Sequence, residues 1–84
     1  MRVGVQFTGT LTAGQTRRWF TYNWSQRLHV IWYVVPTTPV TGAPQIEWDV
    51  QVERASVDDI TYWINVKNIS SNTVNIEARY AILN

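Results

Sequence analysis

The sequence predicts an all-β protein, built as a six-stranded antiparallel β-sandwich, with a flattened small barrel as the alternative. Two observations predict it. Apolar and polar residues alternate with a period of two along most of the chain, and β-branched and aromatic residues dominate those runs. Six strands within 84 residues are too few to enclose a lumen but suit two packed sheets. We therefore expect residues 1–84 to form a single β-sandwich domain.

The N-terminal third predicts two strands. Val3, Val5 and Phe7 alternate with smaller or polar residues and indicate the first strand. Residues 13–15 contain a glycine and predict a turn, after which residues 16–22 form the second strand. Residues 23–26 then form a loop that displays Trp24.

The third strand, residues 28–35, is apolar on both of its faces. Such a strand is covered on both sides, which places it centrally in the sandwich or at an interface. Pro36 ends it, because proline cannot donate a hydrogen bond to the sheet. Residues 37–44 hold the two remaining prolines and predict a loop that crosses between the sheets.

The second half predicts three further strands. Residues 45–53 carry apolar side chains at even positions and polar ones at odd positions, as a half-buried antiparallel strand requires. Residues 60–68 and 73–83 repeat the pattern, and residues 70–72 between them predict a short hairpin loop. The inward positions are Ile46, Trp48, Val50, Val52, Ile60, Tyr62, Ile64, Val66, Val74, Ile76, Ala78, Tyr80 and Ile82.

The composition indicates a protein that binds or assembles rather than an enzyme. Five Trp, four Tyr and two Phe accompany one His and no Cys, so nucleophiles and metal ligands are scarce. We expect no cofactor, no metal and no disulfide. A chain this short buries a limited core, which favours reinforcement by a homo-oligomer.

Charge and hydropathy restrict the partners further. The net charge of +1 predicts no nucleic-acid binding, although Arg17, Arg18, Trp19 and Phe20 could stack on a single strand. No apolar run approaches the length of a membrane-spanning helix or of a signal peptide's apolar region. We therefore expect a cytoplasmic location, export by another route, or a module of a larger secreted protein.

The candidate ligand site is a loop cluster of Asn23, Trp24, Gln26 and Arg27. An exposed indole between amide and cationic groups is typical of sugar recognition, since sugar C–H faces stack on the ring and hydroxyls need polar partners. The alternative is that Trp24 folds back and caps the edge of the sandwich.

Two further surfaces are candidates. Trp19 and Trp63 lie on strand faces that are otherwise polar, and we expect them to anchor subunit interfaces. The polar side chains of residues 47, 49, 51 and 53 share one strand face, and we expect them to oppose Arg54, Lys67 and Arg79 across neighbouring strands. That face is either a ligand groove, a charge-paired subunit contact or a solvated surface.

The second half, including Pro44-Gln45-Ile46-Glu47-Trp48, residues 60–68 and the ending Ala78-Arg79-Tyr80-Ala81-Ile82-Leu83, resembles small bacterial β-sandwich modules. The strand order is also similar to that of the H-type lectin family, whose six-stranded sandwiches trimerise and bind sugars. The resemblance implies a carbohydrate-binding homo-oligomer, and Arg79-Tyr80-Ala81 departs from that family's pattern. The alternatives are a structural assembly protein without a small ligand and a protein that presents its loops to an enzyme as an inhibitor.

Overall fold

The computed structural model describes residues 1–84, which form strands and loops without a helix. The strands are β1 (Arg2–Leu11), β2 (Thr16–Phe20), β3 (Trp24–Ser25), β4 (Val30–Pro36), β5 (Ile46–Arg54), β6 (Asp59–Asn68) and β7 (Val74–Ile82). Sheet A has the order β1-β7-β4. In sheet B, β6 is central, with β5 along one edge and β2 and β3 along the other. All pairings are antiparallel. The predicted all-β class is confirmed, whereas the alternative of a closed barrel is wrong.

The seventh strand arises from a break in the edge of sheet B. Beyond Phe20, the Thr21 amide still donates to the Tyr62 carbonyl, but the Tyr62 amide donates to the Thr21 hydroxyl at 3.2 Å instead of to a backbone carbonyl. Asn23 then adopts φ 61°, a left-handed conformation that asparagine tolerates better than most residues. The chain returns to β6 as β3, where Trp24 lies opposite Ile60. The predicted count of six strands is therefore wrong.

The core lies between the two sheets and is supplied mainly by their central strands. Alternate residues of β6 and β7 point into it, as the period-two pattern predicts. Its fully or nearly fully buried members are Leu11, Trp32, Val34, Ile64, Val66, Val74, Ile76 and Ala78. The inward assignment of the apolar positions in residues 60–68 and 73–83 is therefore confirmed.

Gly9 fixes which face of β2 points inward. The Trp19 ring lies across β1, and a Cβ on Gly9 would stand 2.6 Å from its Cζ2 atom. Phe7 stacks on the same indole with ring centroids 4.6 Å apart. Trp19 therefore packs against the core. The prediction that it lies on an outward polar face is wrong.

Two later connections of the chain, from β4 to β5 and from β6 to β7, pass from one sheet to the other, and only the first was predicted to do so. The loop after β4 does connect sheet A to sheet B, as expected. The segment between β6 and β7 also changes sheets, so the predicted hairpin at residues 70–72 is wrong. A buried side chain, Asn68, orders this second crossing by hydrogen bonding to Asn72 and Ser70.

Two strands occupy edges that leave apolar side chains exposed. β4 lies at the edge of sheet A, not at its centre, and its Ile31 and Tyr33 point outward into solvent. β5 lies at the edge of sheet B, where Trp48 and Val52 are exposed although they share the inward-facing parity. The prediction of a central position for residues 28–35 is wrong, and the alternative of an interface remains open.

Candidate functional site

The tryptophan of the predicted sugar site belongs to the interior aromatic packing. Trp24 is half-buried, and its ring meets Trp32 and Tyr80 in edge-on contacts with centroids 5.1 and 5.3 Å apart. Tyr62 completes this cluster, and burial raises the pKa of its hydroxyl. The premise of an exposed loop tryptophan is wrong. The alternative, in which Trp24 closes the edge of the sandwich, describes the packing.

Two of the polar residues predicted beside Trp24, Gln26 and Arg27, lie together without it, whereas Asn23 does not line the same depression. Ser25, Gln26, Arg27 and Asp58 line a shallow depression of about 220 Å³ that contains no aromatic side chain. Gln26 accepts a hydrogen bond from Arg54 at 2.6 Å, which occupies part of its polar capacity. A sugar-binding role for Asn23, Gln26 and Arg27 therefore stays a prediction, now without its stacking ring.

The largest concave feature is a groove of about 370 Å³ on the outer face of sheet B. It is lined by Thr16, Glu47, Trp48, Asp49, Asn65 and Lys67. Three strands supply these residues, because Lys67 of β6 lies between Thr16 of β2 and Glu47 of β5. Asn65 donates a hydrogen bond to Asp49 at 2.7 Å, which fixes the floor of the groove. Two of the polar odd positions of β5, Glu47 and Asp49, thus form one wall of the groove.

An aromatic patch lies next to the groove on the same face. The indole nitrogen of Trp63 donates to Glu53 at 2.7 Å, and the Arg18 guanidinium lies 4.2 Å from its ring. Phe20 contacts Trp63 with centroids 5.3 Å apart, and Tyr22 lies beside Phe20. Phe20 and Tyr22 are 59% and 69% exposed, whereas Trp63 is half-buried. Trp63 lies on the outer polar face as predicted, but its ring is held and partly covered.

Arg18 joins the groove to the aromatic patch. Its guanidinium lies over Trp63 and donates a hydrogen bond to Gln51 of β5 at 2.9 Å. The side chain therefore crosses from β2 over β6 to the far edge strand. The guanidinium is therefore held in position, because it contacts both the Trp63 ring and the Gln51 side chain.

The outer face of sheet A has the opposite chemistry. Val3, Val5, Ile31 and Tyr33 are exposed across β1 and β4, with Val3 at 73%. Arg79 of the central strand forms a salt bridge with Glu77 at 3.3 Å. Hydrogen bonds to the Tyr33 hydroxyl and then to Glu77 raise the pKa of Arg79, and they give its charge two partners in the middle of this apolar face.

The sequence indicated part of this second face. The strand that was apolar on both sides is β4, whose outward residues Ile31 and Tyr33 belong to it. The predicted alternation put Val3, Val5 and Phe7 on one face of the first strand, but Phe7 packs against the core while the register with β7 places Val5 opposite Arg79 on the outer face. A bulge between Val5 and Phe7 reverses the alternation within β1, and nothing in the local sequence marks it.

The structure shows neither a metal-binding cluster nor a membrane-crossing helix. No three acidic or histidine side chains converge as they would around a metal ion. Nor does any helix have the length and apolarity for crossing a membrane. No protein-family model matches the chain, and no match was found among curated proteins or solved structures.

Proposed function

We propose that this protein is a non-enzymatic carbohydrate-binding module that acts as a homo-oligomer. The observation that carries the proposal is the contrast between its two outer faces. Sheet A presents apolar side chains to solvent, and sheet B presents a polar groove beside exposed aromatic rings. An exposed apolar face suits contact between copies of the chain, and a polar groove beside aromatic rings suits a hydroxyl-rich ligand.

Self-association is supported by the side chains of sheet A. Exposed apolar residues there come from both edge strands and surround an ion pair that keeps a charged group hydrogen-bonded. A second copy that covered this face would bury the apolar surface of Val5 and Ile31. It would not leave Arg79 unpaired, because its partner Glu77 lies on the same strand. Several copies would also repeat a weak sugar site and raise its apparent affinity.

The oligomer is tested by native mass in solution, measured by sedimentation equilibrium. The wild-type chain is expected to sediment as a closed oligomer, and Ile31→Glu to release monomers because it places a carboxylate in the buried interface. The matched control is Val57→Glu, which adds the same charge at a loop position that is 81% exposed and lies off this face. A monomeric wild-type protein would contradict the proposal.

The carbohydrate ligand is tested on an array of immobilised oligosaccharides. The oligomeric protein is expected to bind a subset of the array and to be stabilised against heat by the same sugars in solution. Failure to bind any oligosaccharide would remove carbohydrate recognition while leaving the oligomer in place.

The alternative function is a structural protein that assembles through aromatic interfaces and has no small ligand. It is favoured by the exposure of Phe20 and Tyr22 beside Trp63. If the outer faces of both sheets were contacts, two different interfaces would link copies into assemblies that grow without closing. Phe20→Glu would then shorten these assemblies, whereas a closed oligomer would keep its mass.

A further inference from the structure

The groove on the outer face of sheet B contains charged groups that the protein itself leaves free. Glu47 and Lys67 lie directly opposite each other on β5 and β6. They nevertheless form no salt bridge and no side-chain hydrogen bond, since the only ion pair of the molecule joins Arg79 to Glu77. A carboxylate acceptor and an ammonium donor therefore face the same cavity with their capacity unused.

The groups around them are ordered and retain further capacity. Asp49 accepts one hydrogen bond from Asn65, which leaves its second oxygen free. Arg18 is held between Trp63 and Gln51. Such fixed partners bind a ligand with less loss of side-chain entropy than freely moving ones.

The size and polarity of the groove select the class of ligand. Its volume of about 370 Å³ lies at the lower end of the range of small-molecule sites, which is about 300–1,000 Å³. Of its lining residues only Trp48 is hydrophobic, so an apolar ligand would leave buried polar groups without hydrogen-bond partners. A ligand rich in hydroxyls can both donate to the carboxylates and accept from the ammonium group.

The charge of the face restricts the ligand further. Three carboxylates, on residues 47, 49 and 53, outnumber the two cations Arg18 and Lys67. The field of the face is therefore weakly negative and does not attract sulfated, phosphorylated or carboxylated ligands. The exposed ring of Phe20 lies beyond Arg18 on the same strand and offers a stacking surface to an extended ligand.

From these observations we infer that this groove is the oligosaccharide site of the protein and that its ligand is an uncharged oligosaccharide. Glu47, Asp49, Asn65 and Lys67 bind hydroxyl groups, and Phe20 stacks on a neighbouring ring. The inference rests on the proposed function, and it assigns the site to sheet B instead of the Gln26–Arg27 depression.

The test compares variants of the oligomeric protein on an array that carries neutral, amino-bearing, sulfated and sialylated oligosaccharides. The affinity for the best neutral oligosaccharide is then measured by titration calorimetry. Lys67→Ala and Glu47→Gln are the groove variants, since both side chains are exposed and make neither a salt bridge nor a side-chain hydrogen bond. Phe20→Ala tests the stacking ring, and Arg27→Ala, which also removes an exposed cation, tests the competing Gln26–Arg27 depression.

We expect each groove variant to weaken binding by about tenfold or more, because each removes a charged hydrogen-bonding partner. Arg27→Ala is expected to bind like the wild type. Loss of binding in Arg27→Ala with normal binding in the groove variants would overturn the inference and leave carbohydrate recognition intact. Binding confined to sulfated or sialylated oligosaccharides would overturn it as well. An array without any bound oligosaccharide would reject both the inference and the carbohydrate function.

Discussion

Asn68 connects segments that the sequence keeps far apart. Its side chain is fully buried, and its amide nitrogen donates to the carbonyls of Leu11, Thr12 and Asn72 at 3.1, 3.1 and 2.7 Å. Its oxygen accepts from the backbone and hydroxyl of Ser70. The residue thereby ties the end of β1 to the crossing between β6 and β7, and every polar atom of the buried amide has a partner.

Replacement of Asn68 by alanine is expected to lower the free energy of unfolding by about 2–4 kcal/mol, because buried carbonyls lose their donor. Urea denaturation monitored by tryptophan fluorescence measures the loss. Asn72→Ala is the control, since the exposed side chain of Asn72 makes no hydrogen bond and only its backbone amide and carbonyl are used. If Asn68→Ala were as stable as this control, the crossing would be held by its backbone alone.

Asn68 continues the inward alternation of Ile64 and Val66 along β6, although only apolar residues were assigned inward from the sequence. Sequence alone did not identify the partners of Asn68, because the nearest acceptor on β1 lies 57 residues away. The same limit applies to the groove. The odd positions of β5 were recognised as one polar face, but Thr16 and Asn65 join it only through the register of β2 and β5 on β6.

At the scale of elements, β3 is the shortest strand and has the least backbone pairing to hold it. It has two residues, and just after it the Gln26 amide donates to the carbonyl of Asp58 in the loop before β6 at 2.9 Å. Two residues of pairing do not offset the entropy of ordering the chain. The packing of Trp24 against Trp32, Tyr62 and Tyr80 therefore holds β3 in place.

Trp24→Ala is accordingly expected to release β3 from the sheet. The Gln26 amide should lose its protection from hydrogen exchange, while the Thr21 amide, which donates to Tyr62 within the adjoining edge, keeps most of its own. The free energy of unfolding should fall by about 2–3 kcal/mol, less than for a fully buried tryptophan. Trp48→Ala, at an exposed position of β5, is the control for removal of an indole. Unchanged protection of Gln26 would show that Trp24 is free to serve a ligand, as the sequence suggested.

The strands were easier to predict than their faces and positions. β5, β6 and β7 alternate so regularly that their inward residues were assigned from the sequence. In β2 both faces carry a cation next to an aromatic residue, with Arg17 and Trp19 on one side and Arg18 and Phe20 on the other. The choice between them depends on Gly9, which belongs to a different strand and makes room for the Trp19 ring.

At the scale of the whole molecule, the small core and the exposed apolar face of sheet A both limit the stability of the single chain. Only 12 of the 84 residues are buried, and they include nine hydrophobic ones. A domain of this size has little stability to spare, and it has no disulfide to constrain the unfolded chain. Burial of the outer face of sheet A against another copy would add apolar contacts where the single chain has none.

This coupling predicts that thermal stability depends on protein concentration. If association stabilises the fold, the Tm of the wild-type protein should rise by about 3–5 °C for each tenfold increase in concentration, as mass action requires for a dimer of small domains. Differential scanning calorimetry over a series of dilutions measures it. Ile31→Glu should abolish the dependence and settle near the Tm of the most dilute wild-type sample, because its carboxylate would be buried without a partner. Val57→Glu, whose position is exposed in a loop, should keep the full slope. A wild-type Tm that is independent of concentration would mean that the single chain is stable with this face in water, and the contrast between the two faces would then need another explanation.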